Sequence, residues 1–100
     1  MKTILPTELS KNGFDGSAQL EDQIAIAELT DIRDYIQAYF PPPRVRYNQK
    51  QSSYGLKHRL ERKLDRYVSN GELIAAMILC GYSYRVVDGL NCIFNMHTWR

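Results

Sequence analysis

The sequence has few cysteines, no long apolar run and too little chain for several domains. Its 100 residues include two cysteines, too few for a disulfide scaffold, and we interpret Cys80 and Cys92 as reduced core residues. No stretch approaches the roughly 18 apolar residues of a membrane span, and the first residues lack the apolar core of a signal peptide. The expected location is therefore the cytoplasm, without a membrane partner. The short chain excludes large multidomain enzymes.

Recognisable catalytic motifs are also missing. The six glycines form neither GxGxxG nor GxxxxGK, so neither a dinucleotide site nor a P-loop is indicated. The histidines, His58 and His97, lack partners at metal-ligand spacing, and we interpret His58 as a helix-surface residue. Cys80 lies in an apolar segment away from any cation that would activate a thiol. We therefore expect a binding protein, not an enzyme, with no cofactor, metal ion or small-molecule substrate.

The net charge of +2 conceals an uneven distribution along the chain. Residues 1–40 carry three Lys or Arg against seven Asp or Glu, a balance of −4. Residues 41–100 carry ten basic residues against four acidic ones, a balance of +6. Such an asymmetry concerns the choice of partners rather than the fold. Either pole is a candidate binding surface.

The patterns predict a small single α+β domain of three helices followed by a C-terminal β-hairpin. Residues 1–16 have no sustained period and are predicted to be a loosely ordered arm. Residues 18–40 have apolar side chains, ending with Tyr39, at the three- and four-residue spacing of an acidic amphipathic helix. The three prolines that follow must stop this helix, so residues 41–51 are predicted to be an extended, exposed linker rich in arginine.

The second half of the chain predicts two further helices and the hairpin. Residues 53–67 have a leucine stripe that ends at Tyr67, with arginines opposite, and form a basic helix. Ser69 and Glu72 have the spacing of a capping box, and residues 70–80 predict a central buried helix, because residues 73–80 are apolar on every side. Residues 82–96 predict a hairpin around a two-residue Asp-Gly turn with positive φ at both positions.

The leading interpretation assigns partner binding to the acidic pole. Its carboxylates could be an ordinary solvated face, or they could dock on a lysine and arginine patch of a nucleic-acid-handling protein. In that interpretation the carboxylates compete with the phosphates of nucleic acid for the patch. The candidate residues for binding a protein partner are Asp15, Glu21, Asp22, Glu28, Asp31 and Asp34.

An alternative interpretation is a small nucleic-acid-binding regulator. Cations that neutralise phosphates alternate with Tyr47, Tyr54 and Tyr67, whose rings could stack on bases. The order of elements is that of a winged helix, but the buried helix has no polar side chain to read base edges, so sequence specificity would be weak. A solvated helix face or an oligomeric accessory protein remains open. The candidate residues are Arg44, Arg46, Lys50, Arg59, Arg62 and Arg66.

Two sequence segments carry a resemblance to known proteins. Residues 53–58 read SYGLKH and residues 67–77 read YVSNGELIAAM, followed by Gly81 and Tyr82. Over about residues 52–96 the chain resembles a family of small proteins from proteobacterial phages and mobile islands. Its length and this pattern also resemble the type I-F anti-CRISPR proteins. The resemblance implies an inhibitor in the bacterial host cell that binds protein subunits of the RNA-guided surveillance complex and blocks target DNA recognition or unwinding. It identifies no contact residues.

Overall fold

The computed structural model describes residues 5–16, 19–20 and 26–100. It confirms the α+β fold of three helices followed by an antiparallel hairpin. The helices are α1, α2 and α3, at Thr30–Tyr39, Ser53–Leu64 and Asn70–Leu79, and the strands are β1 and β2, at Tyr84–Val86 and Cys92–Phe94. In this part of the chain, no helix combines the length and the apolar character that a membrane crossing needs.

Helix α3 is the centre of the core. Its residues from Asn70 to Ile78 are all buried, because a helix that is apolar on every side after its first turn can pack both α1 and α2 against it. The predicted capping box is confirmed. Ser69 Oγ accepts a hydrogen bond from the Glu72 amide at 3.1 Å, and Glu72 Oε1 accepts one from the Ser69 amide at 2.9 Å. These bonds satisfy donors that a helix start otherwise leaves unpaired.

The described part of the first helical region is not α-helical throughout. A 3₁₀ turn at Ile26–Leu29 precedes α1, and residues 21–25 lie outside the described residues. Placing Tyr39 on the buried face is wrong, since its side chain is 65% exposed. The chain becomes extended at Phe40, and the Phe40 ring takes the buried position, stacked on Trp99 at 4.4 Å.

The second helix ends earlier than its leucine stripe indicates. Asp65 adopts a left-handed conformation with φ of 54° and caps α2 after Leu64. This turn takes Tyr67 out of the helical period, so the expected burial of Tyr67 is wrong: the side chain is 65% exposed. Val68 is buried instead. Arg66 likewise lies beyond the helix and does not share a helix face with Arg59 and Arg62.

The prediction of a loosely ordered arm is wrong for residues 5–16. Leu9 is fully buried in the core and Leu5 nearly so. The Gly71 amide donates to the Lys11 carbonyl at 2.9 Å, and the Phe14 amide donates to the Leu90 carbonyl at 3.1 Å. This segment therefore packs against the start of α3 and the hairpin loop, although its sequence has no sustained period.

Residues 41–51 run alongside β2. The Arg44 amide donates to the Asn95 carbonyl at 2.7 Å, and the Asn48 amide donates to the Phe94 carbonyl at 2.9 Å. Asn48 is buried, although Arg46 and Lys50 are exposed. The expectation of an exposed linker is therefore wrong at Asn48, where the extended chain adds hydrogen bonds to the sheet edge.

The hairpin loop is longer than the predicted two-residue turn. The Val87 amide donates to the Asn91 carbonyl at 2.9 Å and closes the loop. Gly89 has φ of 84°, but Asp88 has no positive φ. The Asp88 carboxylate instead accepts a hydrogen bond from the Asn91 amide at 2.7 Å, as in other loops closed by an aspartate side chain.

The two cysteines are free thiols in different surroundings. Cys92 is fully buried in β2, and burial raises the pKa of its thiol to about 12. Cys80 follows α3 and is partly exposed, and burial also raises its pKa. The interpretation as a core residue therefore holds for Cys92 and is wrong for Cys80, which lies where the buried helix reaches the surface.

Candidate functional site

Three predicted acidic residues lie on one surface of the first helical region. Glu28, Asp31 and Asp34 are exposed, whereas Ile32 and Ile36 of the same region are fully buried. The acidic residues recur every three positions, which keeps them near one side of a helix. We call Glu28, Asp31 and Asp34 the acidic face.

The other predicted acidic residues do not extend this face in the described residues. Asp15 is exposed and lines a cleft next to Tyr54 and Lys57. Glu21 and Asp22 lie outside the described residues. The acidic face therefore consists of three of the six predicted residues.

Asp31 joins the acidic face to the basic half of the chain. Arg66 Nε donates to Asp31 Oδ2 at 2.9 Å, and Arg66 Nη2 donates to Asp31 Oδ1 at 3.0 Å. The two poles that the sequence separates thus meet in a bidentate ion pair. This contact changes the interpretation of Asp31, which has a structural partner as well as exposed carboxylate surface.

The Asp31–Arg66 pair is expected to make a small, pH-dependent contribution to stability. The hydrogen bonds from Arg66 lower the pKa of the Asp31 carboxyl below its usual 3.8, so this stability is complete above that value and is lost as pH falls through the folded-state pKa. The Asp31→Asn substitution should cost less than about 1 kcal/mol, because both side chains are partly exposed. Urea unfolding at neutral pH measures this loss.

Two controls separate the ion pair from other effects of the substitution. The loss should shrink when unfolding is repeated at a pH well below 3.8, as protonation of the wild-type carboxyl begins to remove its charge. The charge-swapped double variant, Asp31→Arg with Arg66→Asp, should recover part of the stability that Asp31→Asn loses. If Asp31→Asn loses the same stability at both pH values, the loss does not come from the Asp31–Arg66 ion pair.

The residues predicted for nucleic-acid binding do not form one free cationic surface. The Arg59 guanidinium lies 4.1 Å from the Trp99 ring centroid and donates to the Trp99 carbonyl. Arg66 pairs with Asp31, and Arg44 donates to the Arg46 carbonyl at 3.1 Å. Three further members of the predicted set are exposed: Arg46, Lys50 and Arg62.

The structure also contains a cleft of about 440 Å³, to which α2 and the N-terminal segment contribute. Tyr54 and Tyr67 line it and are 55% and 65% exposed. The buried Lys57 ammonium lies 5.8 Å from the Tyr54 ring centroid and 5.1 Å from that of Tyr67. Its Nζ donates to the Val68 carbonyl at 3.1 Å and is 3.5 Å from Glu61 Oε1. We call this feature the tyrosine cleft.

Asn70 supplies a buried amide to the tyrosine cleft. Its Nδ2 donates to the Asn12 carbonyl at 3.1 Å and to Asn91 Oδ1 at 2.9 Å. Its Oδ1 is buried and has no hydrogen-bond partner among the described residues. Buried polar atoms are nearly always hydrogen-bonded, so this acceptor is an exception.

The sequence pattern indicates stacking rings at Tyr54 and Tyr67 but no common site. Tyr54 and Lys57 are three positions apart on α2, a spacing that indicates neighbouring side chains. The leucine stripe predicts Tyr67 on the buried side of a helix that continues past Asp65, and the capping pattern places Asn70 only at a helix start. Residues 53–58 and 67–77 both contribute side chains to the tyrosine cleft, which no local pattern predicts.

The described residues include no group of three or more His, Cys, Asp or Glu side chains placed to hold a metal ion. His58 is a helix-surface residue that pairs with Glu61, with Nδ1 and Oε1 2.9 Å apart. Comparison of the chain with protein-family models, with curated proteins and with solved structures finds no match.

Proposed function

We propose that this protein inhibits a type I-F CRISPR surveillance complex by binding its protein subunits. Bound in this way, it prevents the complex from recognising or unwinding target DNA. The resemblance in residues 53–58 and 67–77 supports the class of target. The observation that carries the mode of action is the acidic face on the 3₁₀ turn and α1, whose carboxylates are exposed while the opposite side of α1 is in the core.

The acidic face has the charge needed to compete with DNA. Proteins that hold DNA present lysine and arginine clusters, and complementary carboxylates speed association with such clusters and favour them over other surfaces. Among the described residues, Glu28 and Asp34 take part in no ion pair. Asp31 is held in place by Arg66. Two carboxylates are therefore available to a partner next to a third whose position is fixed.

The alternative, a regulator that binds duplex nucleic acid, has less support. Arg59 and Arg66 are engaged with Trp99 and Asp31, so binding phosphates would break or share these contacts. Helix α3 is buried from Asn70 to Ile78 and cannot enter a major groove as a recognition helix does. In the nucleic-acid interpretation, the remaining phosphate ligands are the exposed residues Arg46, Lys50 and Arg62.

Reversing one carboxylate of the acidic face tests the proposal. The Asp34→Lys substitution leaves the Asp31–Arg66 pair intact and should weaken inhibition about 30-fold or more, because breaking an interfacial ion pair costs roughly 2 kcal/mol or more. The measurement titrates the protein against target-DNA binding by purified surveillance complex. Glu8→Lys is the matched control, since Glu8 is also exposed and the change in charge is the same.

The outcomes separate the contact surface from the function. The control should inhibit like the wild type, and both variants should melt like the wild type. If Asp34→Lys still inhibits at wild-type concentrations, the acidic face is not the contact. A wild-type protein that neither co-purifies with the complex nor inhibits its DNA binding would contradict the proposed function itself.

A further inference from the structure

The rim of the tyrosine cleft is held in place by several ring contacts. The Tyr54 ring meets the His58 ring edge-on, with centroids 4.5 Å apart. The buried Lys57 ammonium lies near both tyrosine rings, at 5.8 and 5.1 Å from their centroids. Rings that are already positioned lose little conformational freedom when a planar ligand stacks on them. Two exposed tyrosines of this kind are stacking surfaces.

The lining of the cleft also carries side-chain amides. Asn70 and Asn91 contribute them, and the Asn70 Oδ1 acceptor has no donor among the described residues. Asparagine amides pair with base edges because they combine a donor and an acceptor. Asn70 Oδ1 is enclosed and its Nδ2 donates to Asn12 and Asn91, so the exocyclic amine of adenine or cytosine reaches this acceptor only when the Asn70 side chain turns towards the cleft.

An exposed arginine adjoins the aromatic rim. Tyr67 also lines a shallow groove with Arg62 and Arg66, in which Glu61 and Asp65 balance the two positive charges. Arg62 is exposed, so a strand with a base on Tyr67 can bring a neighbouring phosphate to its guanidinium. A stacking ring next to a cation is the arrangement used by proteins that bind single strands.

From these observations we infer that the tyrosine cleft binds a nucleobase of single-stranded nucleic acid, stacked on Tyr67 with its edge towards Asn70. The volume of about 440 Å³ is within the usual range for small-ligand sites. Duplex bases do not fit, because their faces are covered by neighbouring base pairs. This activity goes beyond the proposed function, since it uses neither the acidic face nor a protein partner.

A protein partner fits the same cleft less well. The central pockets of protein interfaces are apolar and desolvated, whereas Leu90 is the one aliphatic residue among the nine that line the tyrosine cleft. Asparagine, lysine and aspartate side chains make up the rest of the lining around the two rings. Rings with polar groups around them suit a planar ligand that has a face to stack and a polar edge.

Fluorescence anisotropy with labelled oligonucleotides tests the inference on the full-length protein. At low salt, a 12-nucleotide single strand of adenine and cytosine should bind at least about tenfold more tightly than the corresponding duplex. The Tyr67→Ala substitution should weaken binding about fivefold or more, the loss of one stacked base. Tyr67→Phe keeps the ring and should bind within about twofold of the wild type.

Two controls isolate the stacking. Tyr39→Ala removes a tyrosine that is equally exposed, at 65%, but does not line the cleft, and should leave affinity unchanged. An abasic strand of the same length keeps the phosphates and should bind about as weakly as the Tyr67→Ala variant binds the normal strand. In the ¹⁵N NMR spectrum, the Asn70 side-chain amide should shift with the normal strand and not with the abasic one.

Four results would overturn the inference. The first is that the single strand does not bind at low salt. The second and third are that the abasic strand or the duplex binds as tightly as the normal single strand. The fourth is that Tyr67→Ala and Tyr39→Ala weaken binding of the single strand equally. If Tyr67→Ala weakens only the contact with purified surveillance complex, the cleft belongs to a protein interface. The proposed function is measured separately with Asp34→Lys, which leaves the cleft unchanged.

Discussion

Replacing Ala76 by Asp is expected to leave the domain largely unfolded at 25 °C. Ala76 is fully buried in α3, the helix against which α1 and α2 pack. Burying even an uncharged polar group without a partner costs roughly 2–7 kcal/mol, and a carboxylate costs more. A small domain is stable by about 5–15 kcal/mol. Far-UV circular dichroism and a thermal melt measure the loss.

The same substitution at an exposed alanine is the control. Ala38 lies on the solvent side of α1, and Ala38→Asp should cost no more than about 1 kcal/mol, from lower helix propensity and a carboxylate near the negative helix end. A cooperative melt at the wild-type temperature for Ala76→Asp would mean that α3 is not the centre of the core.

Adding one methyl group at Gly71 is expected to displace the N-terminal segment. A Cβ there would overlap the Ser10 carbonyl oxygen and lie 2.8 Å from the carbonyl carbon of Ser10. These are backbone atoms, which cannot turn aside as a flexible side chain can. The Gly71→Ala substitution should destabilise the protein by roughly 1–3 kcal/mol. Urea unfolding gives the loss, and limited proteolysis should show faster cleavage within residues 5–16.

Gly55 offers a matched comparison within α2. A Cβ at Gly55 meets no atom within 4 Å, and alanine is the better helix former. Gly55→Ala should therefore stabilise the protein by about 0.5–1 kcal/mol. If Gly71→Ala behaves in the same way, the contact between Ser10 and the start of α3 is not close in solution.

Features set by neighbouring residues were predictable from the sequence. The Ser69–Glu72 capping box depends on two side chains three positions apart and forms as expected. The buried character of α3 follows from a segment that is apolar on every side. Both features need no information about distant parts of the chain.

Features set by distant contacts were not predictable in this way. Asp65 ends α2 through a left-handed backbone conformation, which is uncommon for residues other than glycine, and this moves Tyr67 to the surface. Asn48 is buried because its segment pairs with β2. The tyrosine cleft combines residues from four separate parts of the chain, and the Asp31–Arg66 pair joins both charge poles. Tertiary packing creates these arrangements.

The docking of residues 5–16 also affects the order of folding during synthesis. This segment leaves the ribosome before the residues on which it docks, because its hydrogen bonds include those to Gly71 and Leu90, which are made much later. Contacts so far apart in sequence form slowly, because a long loop must close before they are gained. Leu5 and Leu9 therefore stay exposed until α3 and the hairpin loop have emerged. During this interval the nascent chain presents two apolar side chains, Leu5 and Leu9, that a chaperone can bind.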